Sequence, residues 1–119
     1  MLINIPHLIG AAKYSLAGIK RAWQGEQAFR HEVLTLPVMF VILFLVCPGT
    51  GWTAILMTGW FVVMSLELLN SAIEEVFDLI SPEYNIHVKH GKDLASAAIF
   101  ICVCLNIGLW VFMLCDVLL

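Results

Sequence analysis

The segment from Leu94 to Cys115 contains no charged side chain, and two further apolar stretches precede it along the chain. One runs from Val33 to Cys47, and the other runs from Trp52 through Ile73. A helix needs about 20 apolar residues to cross the hydrocarbon core of a bilayer. Because that core offers no water to the backbone, segments of this kind must be helices. The sequence therefore predicts an all-α integral membrane protein.

The composition supports a membrane location. Hydrophobic residues make up 61% of the chain and charged residues only 13%, whereas a soluble domain carries about 25% charged residues. The chain has six Lys and Arg residues in total and no basic groove, so nucleic acid is excluded as a partner.

An amphipathic segment precedes the first apolar stretch. Apolar residues recur every three or four positions from Ile5 to Trp23, while Lys13, Lys20 and Gln24 share another face. A basic amphipathic helix of this kind commonly lies in the membrane interface. We therefore expect one membrane domain over residues 1–119, with a surface helix over about 4–25 and transmembrane helices over about 28–47, 52–80 and 92–117.

The basic residues predict the orientation of the spans. Four of them precede the first span, and the other two, Lys89 and Lys92, lie between the second and third. The PGTG connection between the first two spans carries no charge. Basic residues favour cytoplasmic loops, so we expect the N-terminus and the 81–93 loop to be cytoplasmic.

Three polar residues interrupt the second apolar stretch. Glu67, Asn70 and Glu74 are spaced by three and four residues, which places them on one helical face. An ionisable residue in a membrane helix is expensive and marks a functional site by default. The alternatives are polar packing between helices, an ion or proton relay, and catalysis at the interface. The neighbouring Glu75 and Asp78 are interpreted as a solvated helix end.

Depth favours catalysis among these alternatives. At about 1.5 Å per residue, Glu67 falls in the cytoplasmic third of the bilayer and Glu74 at the inner boundary. Glu26 precedes the first span, and Lys92 with Asp93 begins the third, so all three reach the same level.

These residue types meet the needs of phosphoryl transfer. Mg²⁺ takes oxygen ligands such as Glu26 and Glu74, usually together with substrate phosphates. Lys92 can stabilise phosphate charge, and Glu67 is suited to act as a general base. Asn70 can hold a neighbouring carboxylate or the substrate in place. The substrate hydroxyl would then arrive from the lipid.

Five sequence blocks carry a resemblance to a known family. AAKYSLAGIKRAW, GEQAFRHE, ELLNSAIEEVFD, SPEY and GKDLASAA resemble the small bacterial membrane diacylglycerol kinases over nearly the whole chain. The E-x-x-F-R-x-E pattern favours the Gram-negative diacylglycerol kinases over their undecaprenol kinase relatives. The resemblance implies a multi-pass homotrimer in the bacterial inner membrane, with active sites shared between subunits. It also implies ATP with Mg²⁺ as the phosphate donor, diacylglycerol as the acceptor and phosphatidic acid as the product.

The resemblance also implies roles for individual residues. Glu67 matches the catalytic base and a lipid contact, Glu26 and Glu74 match metal ligands, and Asn70 matches a supporting residue. The positions matching nucleotide contacts are His7, Tyr14, Glu26, Glu74, Glu83, Tyr84, Asn85, Lys92 and Asp93. The positions matching the lipid-substrate cleft are Ser15, Trp23, Arg30, Glu32, Glu67 and Ser96. His7 stands where the family pattern has Arg, and Asn85 stands where it has His.

Two alternative functions remain open from the sequence. An undecaprenol kinase would use the same residues on a different lipid. A small proton-coupled transporter, from another class, would also need an intramembrane Glu, but near the middle of the bilayer and without a nucleotide. The acidic groups gather at the inner boundary beside Lys92, which argues against the transporter.

Overall fold

The computed structural model describes residues 2–119, which form four α-helices without any strand. Helix α1 spans Ile5–Gly25, α2 spans Gln27–Val46, α3 spans Thr50–Ile80 and α4 spans Ile86–Leu118. Helices α2, α3 and α4 are each long and apolar enough to cross a membrane. The predicted all-α architecture, with three potential spans after an N-terminal helix, is thereby confirmed for these residues.

A single extended residue separates α1 from α2. Asn4 begins α1 by accepting a hydrogen bond from the backbone N–H of His7 at 3.2 Å, and Pro6 occupies the first turn, where a missing N–H costs little. At the other end, Glu26 has extended backbone angles (φ −112°, ψ 108°) and its N–H bonds the carbonyl of Ala22 at 2.8 Å. Because Gln27 already belongs to α2, Glu26 forms a tight elbow.

The connection between α2 and α3 is a short turn with two left-handed residues. Helix α2 continues through Pro37 and ends at Val46, and the next residue, Cys47, adopts φ 50°. Gly49 follows with φ 99°, a backbone conformation that glycine adopts at little cost. The turn is therefore tight enough to return the chain directly along α2.

The most extensive helix pair is α3 with α4. Midway along it, Asn106 is 3% exposed and its side-chain N–H groups donate to the carbonyls of Gly59 on α3, at 3.2 Å, and Cys102 on its own helix, at 2.9 Å. Near the α2–α3 turn, Trp52 Nε1 donates to Asp116 Oδ2 at 2.8 Å. These two bonds join the helices at the middle and at one end.

Much of the apolar surface of the spans is uncovered within one chain. Phe44 on α2 is 80% exposed and Phe100 on α4 is 69% exposed. Two small buried clusters hold the helices together, one around Ala22, Phe29 and Met64 and the other around Leu43, Leu56 and Met113. An apolar surface of this extent is characteristic of contact with lipid or with other subunits.

We expect Gly59→Ala to destabilise the protein, because an added Cβ would come within 2.6 Å of Asn106 Oδ1. Overpacking of this kind costs about 1–3 kcal/mol. The measurement is the free energy of unfolding in mixed detergent–SDS micelles. Gly51→Ala on the same helix is the matched control, since nothing lies within 4 Å of its added Cβ.

Adding Asn106→Ala to Gly59→Ala should recover part of the lost stability, because the clashing amide is then absent. Equal stability of wild type and Gly59→Ala would contradict the close α3–α4 contact.

Candidate active site

The polar residues gather at one end of the helices, where the α1–α2 elbow and the α3–α4 loop lie; we call this the α1 end. On α3, Asn70 Nδ2 donates to Glu74 Oε1 at 3.3 Å, one turn further along the helix. Glu67 lies one turn in the other direction and is only 8% exposed. A carboxamide therefore lies between a buried carboxyl and a second carboxyl that it holds by a hydrogen bond.

A second buried carboxyl belongs to α2. Glu32 is 9% exposed, and its backbone carbonyl accepts a hydrogen bond from Trp60 Nε1 on α3 at 3.0 Å. The carboxyls of Glu32 and Glu67 are close enough to interact electrostatically, and Glu67 interacts in the same way with Glu26 and Glu74. Glu67 therefore experiences the charge of three other carboxyl groups, those of Glu26 at the elbow, Glu32 on α2 and Glu74 on α3.

The described residues contain no ready-made metal cage. No group of three His, Cys, Asp or Glu side chains in residues 2–119 lies close enough to hold a metal ion. Mg²⁺ commonly binds through one or two carboxylates, completed by water and substrate phosphates. The carboxylates of Glu26 and Glu74 fit that pattern, which needs a nucleotide to complete the ligand set.

Arg30 supports the elbow that carries Glu26. Its Nη1 donates to the carbonyls of Trp23 at 3.2 Å and Gln24 at 3.1 Å, in the last turn of α1. Carbonyls at the end of a helix lack intrahelical partners. The guanidinium of Arg30 donates hydrogen bonds to two of these carbonyls. The resemblance assigned Arg30 to the lipid cleft, whereas this geometry shows it bound to the backbone of α1.

One cavity, of about 400 Å³, lies at the connection between α3 and α4. Five of the residues that the resemblance assigned to the nucleotide line it together: Glu83, Tyr84, Asn85, Lys92 and Asp93. The side chain of Asn85 also caps α4, accepting a hydrogen bond from the N–H of His87 at 2.8 Å. These five positions therefore lie around one cavity, and they include Asn85, where the family pattern has His.

A larger cavity, of about 820 Å³, lies between α1 and α3. Ser15 and Glu26 line it, as do three polar residues to which the sequence assigned no place in the site: Arg21, Ser71 and Glu75. Most of its lining is apolar. The interpretation of Glu75 as part of a solvated helix end was incomplete, because Glu75 contributes to the wall of this cavity.

Several predicted residues line neither of these two cavities. His7 and Tyr14 are exposed on α1, Trp23 is partly exposed, and Ser96 lies on α4. Glu67 is also outside both, although its neighbour Leu68 lines the larger one.

Asp78 is the principal residue that sequence reasoning missed. It lines the smaller cavity, and Lys92 Nζ donates to its Oδ1 at 2.9 Å. The signal was present in the spacing: Asp78 follows Glu67 by eleven residues, which is close to three helical turns. Asp78 therefore continues the face of Glu67 and Glu74. Its 67% exposed side chain fits a solvated helix end, and it also lines the smaller cavity and pairs with Lys92.

These features define a membrane protein of three spanning helices with a polar, carboxylate-rich site at one end. Residues 13–114 match the family model described as prokaryotic diacylglycerol kinase. The chain is 37% identical to the diacylglycerol kinase of Haemophilus influenzae over 107 residues, covering 90% of this chain and 91% of that protein. It is 41% identical to a diacylglycerol kinase of Sinorhizobium sp, covering 88% and 74% of the two chains. It is 36% identical to the diacylglycerol kinase of Escherichia coli K12, covering 90% and 88%.

The chain belongs to the prokaryotic diacylglycerol kinase family. The resemblance drawn from the sequence blocks is thereby confirmed.

We expect Arg30→Gln to loosen α1, because the carbonyls of Trp23 and Gln24 lose their charged donor. The measurement is the rate of limited trypsin cleavage after Lys20 and Arg21 in detergent micelles, which should rise several-fold. Thr35→Ala is the control on the same helix, since its hydroxyl only returns to the carbonyl of His31 at 2.7 Å. A wild-type cleavage rate in Arg30→Gln would show that the guanidinium does not hold the elbow.

Proposed function

We propose that this protein transfers the γ-phosphate of ATP to the hydroxyl of diacylglycerol, producing phosphatidic acid and ADP. The observation that carries the proposal is the buried carboxyl of Glu67 in an apolar helix, on one face with the hydrogen-bonded Asn70–Glu74 pair. The names of the relatives, all called diacylglycerol kinase, support the same reaction.

Glu67 serves as the general base in this proposal. Its carboxylate accepts the proton of the lipid hydroxyl as the hydroxyl oxygen forms a bond to the γ-phosphorus. The bond between that phosphorus and the bridging oxygen breaks, and ADP leaves with the electron pair. Because Glu67 is shielded from water, the lipid hydroxyl competes well as the acceptor, and hydrolysis of ATP is disfavoured.

Glu26 and Glu74 would hold Mg²⁺ together with the phosphates of ATP. When bound, the metal neutralises the charge that develops during phosphoryl transfer. The chain's own contribution is to fix these two carboxylates. The position of Glu26 is fixed by the elbow, which Arg30 stabilises through its hydrogen bonds to the end of α1. The position of Glu74 is fixed by the hydrogen bond from Asn70.

The cavity at the α3–α4 connection is the nucleotide site in this proposal. Lys92 supplies the positive charge for the phosphates, and Tyr84, which is 80% exposed, offers an aromatic face to the base. Glu83, Asn85 and Asp93 complete the wall. His7 and Tyr14 stay nucleotide candidates, and both lie on exposed positions of α1.

The cavity between α1 and α3 is the lipid-acceptor site. Its mainly apolar lining suits the start of acyl chains, and the hydroxyls of Ser15 and Ser71 suit the polar glycerol backbone. Trp23, Glu32 and Ser96 stay candidates for the lipid cleft at positions beyond this cavity. Glu26 at its edge joins the lipid site to the metal site.

The protein is proposed to act as a homotrimer in the bacterial inner membrane, with its N-terminus in the cytoplasm. The uncovered apolar surface of α2 and α4 and the incomplete metal set of one chain both support assembly with further copies. Native mass spectrometry from detergent micelles should give a particle of three chain masses. A monomer that retains full activity would refute the shared sites.

Glu67→Gln should lower phosphatidic acid formation by about 100-fold or more, the usual contribution of a general base. The assay follows transfer of labelled γ-phosphate from ATP to diacylglycerol in mixed micelles, with and without Mg²⁺. Chelation of Mg²⁺ should abolish the product in the wild type.

Ser65→Ala is the matched control, because the Ser65 hydroxyl only bonds the carbonyl of Phe61 on its own helix, at 2.9 Å. Near-normal turnover of Glu67→Gln would remove Glu67 as the base. Faster turnover of undecaprenol than of diacylglycerol by the wild type would reassign the acceptor. Proton flux in liposomes without ATP would favour the transporter alternative.

A further inference from the structure

The described part of the chain contains two ion pairs, and both lie in the wall of the nucleotide cavity. Lys92 Nζ contacts Asp78 Oδ1 at 2.9 Å across the α3–α4 interface, and Lys89 Nζ contacts Asp93 Oδ2 at 2.7 Å within α4. Asp93 is therefore occupied by Lys89. Asp78 is the acidic group that faces Lys92, and the sequence assigned it no role.

The backbone of the two helices is built to bring this pair together. Gly91 lies directly against the ring of Phe77, so closely that a Cβ on Gly91 would collide with it. Asp78 and Lys92 are the next residues on their helices. The close approach that Gly91 permits therefore places a carboxylate of α3 opposite an ammonium of α4.

Stability does not explain why Asp78 is present. Its side chain is 67% exposed and that of Lys92 is 37% exposed, and exposed ion pairs contribute little to folding. The pair can instead fix the orientation of the Lys92 side chain. The lysine ammonium is a compact charge on a flexible four-carbon stem, with three N–H donors. A carboxylate that takes one donor fixes the stem and leaves two donors free for other acceptors.

We propose that Asp78 is a positioning residue, which holds the ammonium of Lys92 at the cavity where the phosphates of ATP bind. The proposal rests on the nucleotide site described under Proposed function. Asp78 acts through Lys92 and needs no contact of its own with the nucleotide or the metal.

Asp78→Asn should raise the KM for MgATP by about five- to tenfold. This is the size of change expected when one modest interaction, here the ion pair that orients Lys92, is lost. The KM for diacylglycerol should stay within about twofold, because Asp78 is not among the residues that line the lipid cavity. Asp78→Glu keeps the charge and should restore most of the affinity for ATP. Asp116→Asn is the matched control, because Asp116 lies at the far end of the helices beside Trp52.

A double-mutant cycle distinguishes positioning from direct binding. Binding of a fluorescent ATP analogue in the presence of Mg²⁺ is measured for wild type, Asp78→Asn, Lys92→Met and the double variant, all in detergent micelles. If Asp78 acts through Lys92, Asp78→Asn weakens binding in the wild type and has no further effect in Lys92→Met. Circular dichroism and size exclusion check that each variant keeps its fold and assembly.

Gly91→Ala gives a second route to the same result, because it should separate the two helices while leaving both charged residues present. Gly91→Ala should weaken nucleotide binding when Lys92 is present and should cause no further weakening in Lys92→Met.

Unchanged nucleotide affinity in Asp78→Asn, or a further loss in the Asp78→Asn/Lys92→Met double variant, would overturn the positioning role. If the wild type bound no nucleotide at all, the proposed nucleotide site would fail first, whereas wild-type binding with an unaffected Asp78→Asn would refute this inference alone.

Discussion

The hydrocarbon core of a membrane cannot solvate polar groups, and this constraint governs the structure. Every backbone group in α2, α3 and α4 must be satisfied within its helix or by a neighbour. Some polar groups inside the spans find a partner on a neighbouring helix, whereas the buried Oδ1 of Asn106 and Oε2 of Glu32 have none within the described residues. Asn106 donates to a carbonyl of α3, and Trp60 donates to the carbonyl of Glu32 on α2. The candidate site lies at the α1 end, whereas Trp52 and Asp116 form a polar pair at the opposite end of the helices.

The elbow at Glu26 places a carboxylate at the α1 end. A single extended residue turns the chain from α1 into α2, and it carries the carboxylate proposed to bind the metal. The carbonyls exposed by the end of α1 are bonded by Arg30. The break in the helix, the donor that stabilises it and the proposed ligand are thus parts of one local structure.

Hydrophobic periodicity predicts most of this fold. The amphipathic pattern gives α1, and the apolar runs give the three potential spans. The pairing of side chains could not be predicted in the same way. The contact of Asp78 with Lys92 depends on how closely Phe77 and Gly91 bring two helices together, which a one-dimensional pattern does not encode. The bonds from Arg30 likewise depend on the angle at Glu26, which propensities do not specify.

Helix α3 contributes wall residues to both cavities. Leu68, Ser71 and Glu75 face the cavity beside α1, whereas Asp78 faces the one beside α4. Successive residues of a helix point about 100° apart, so Asp78, eleven residues after Glu67, points within about 20° of it and shares the face of Glu67 and Glu74. In the proposed reaction the phosphoryl group is transferred along this face. The two cavities follow each other along α3, because the wall residues of the proposed lipid site lie at positions 68–75 and that of the proposed nucleotide site lies at Asp78.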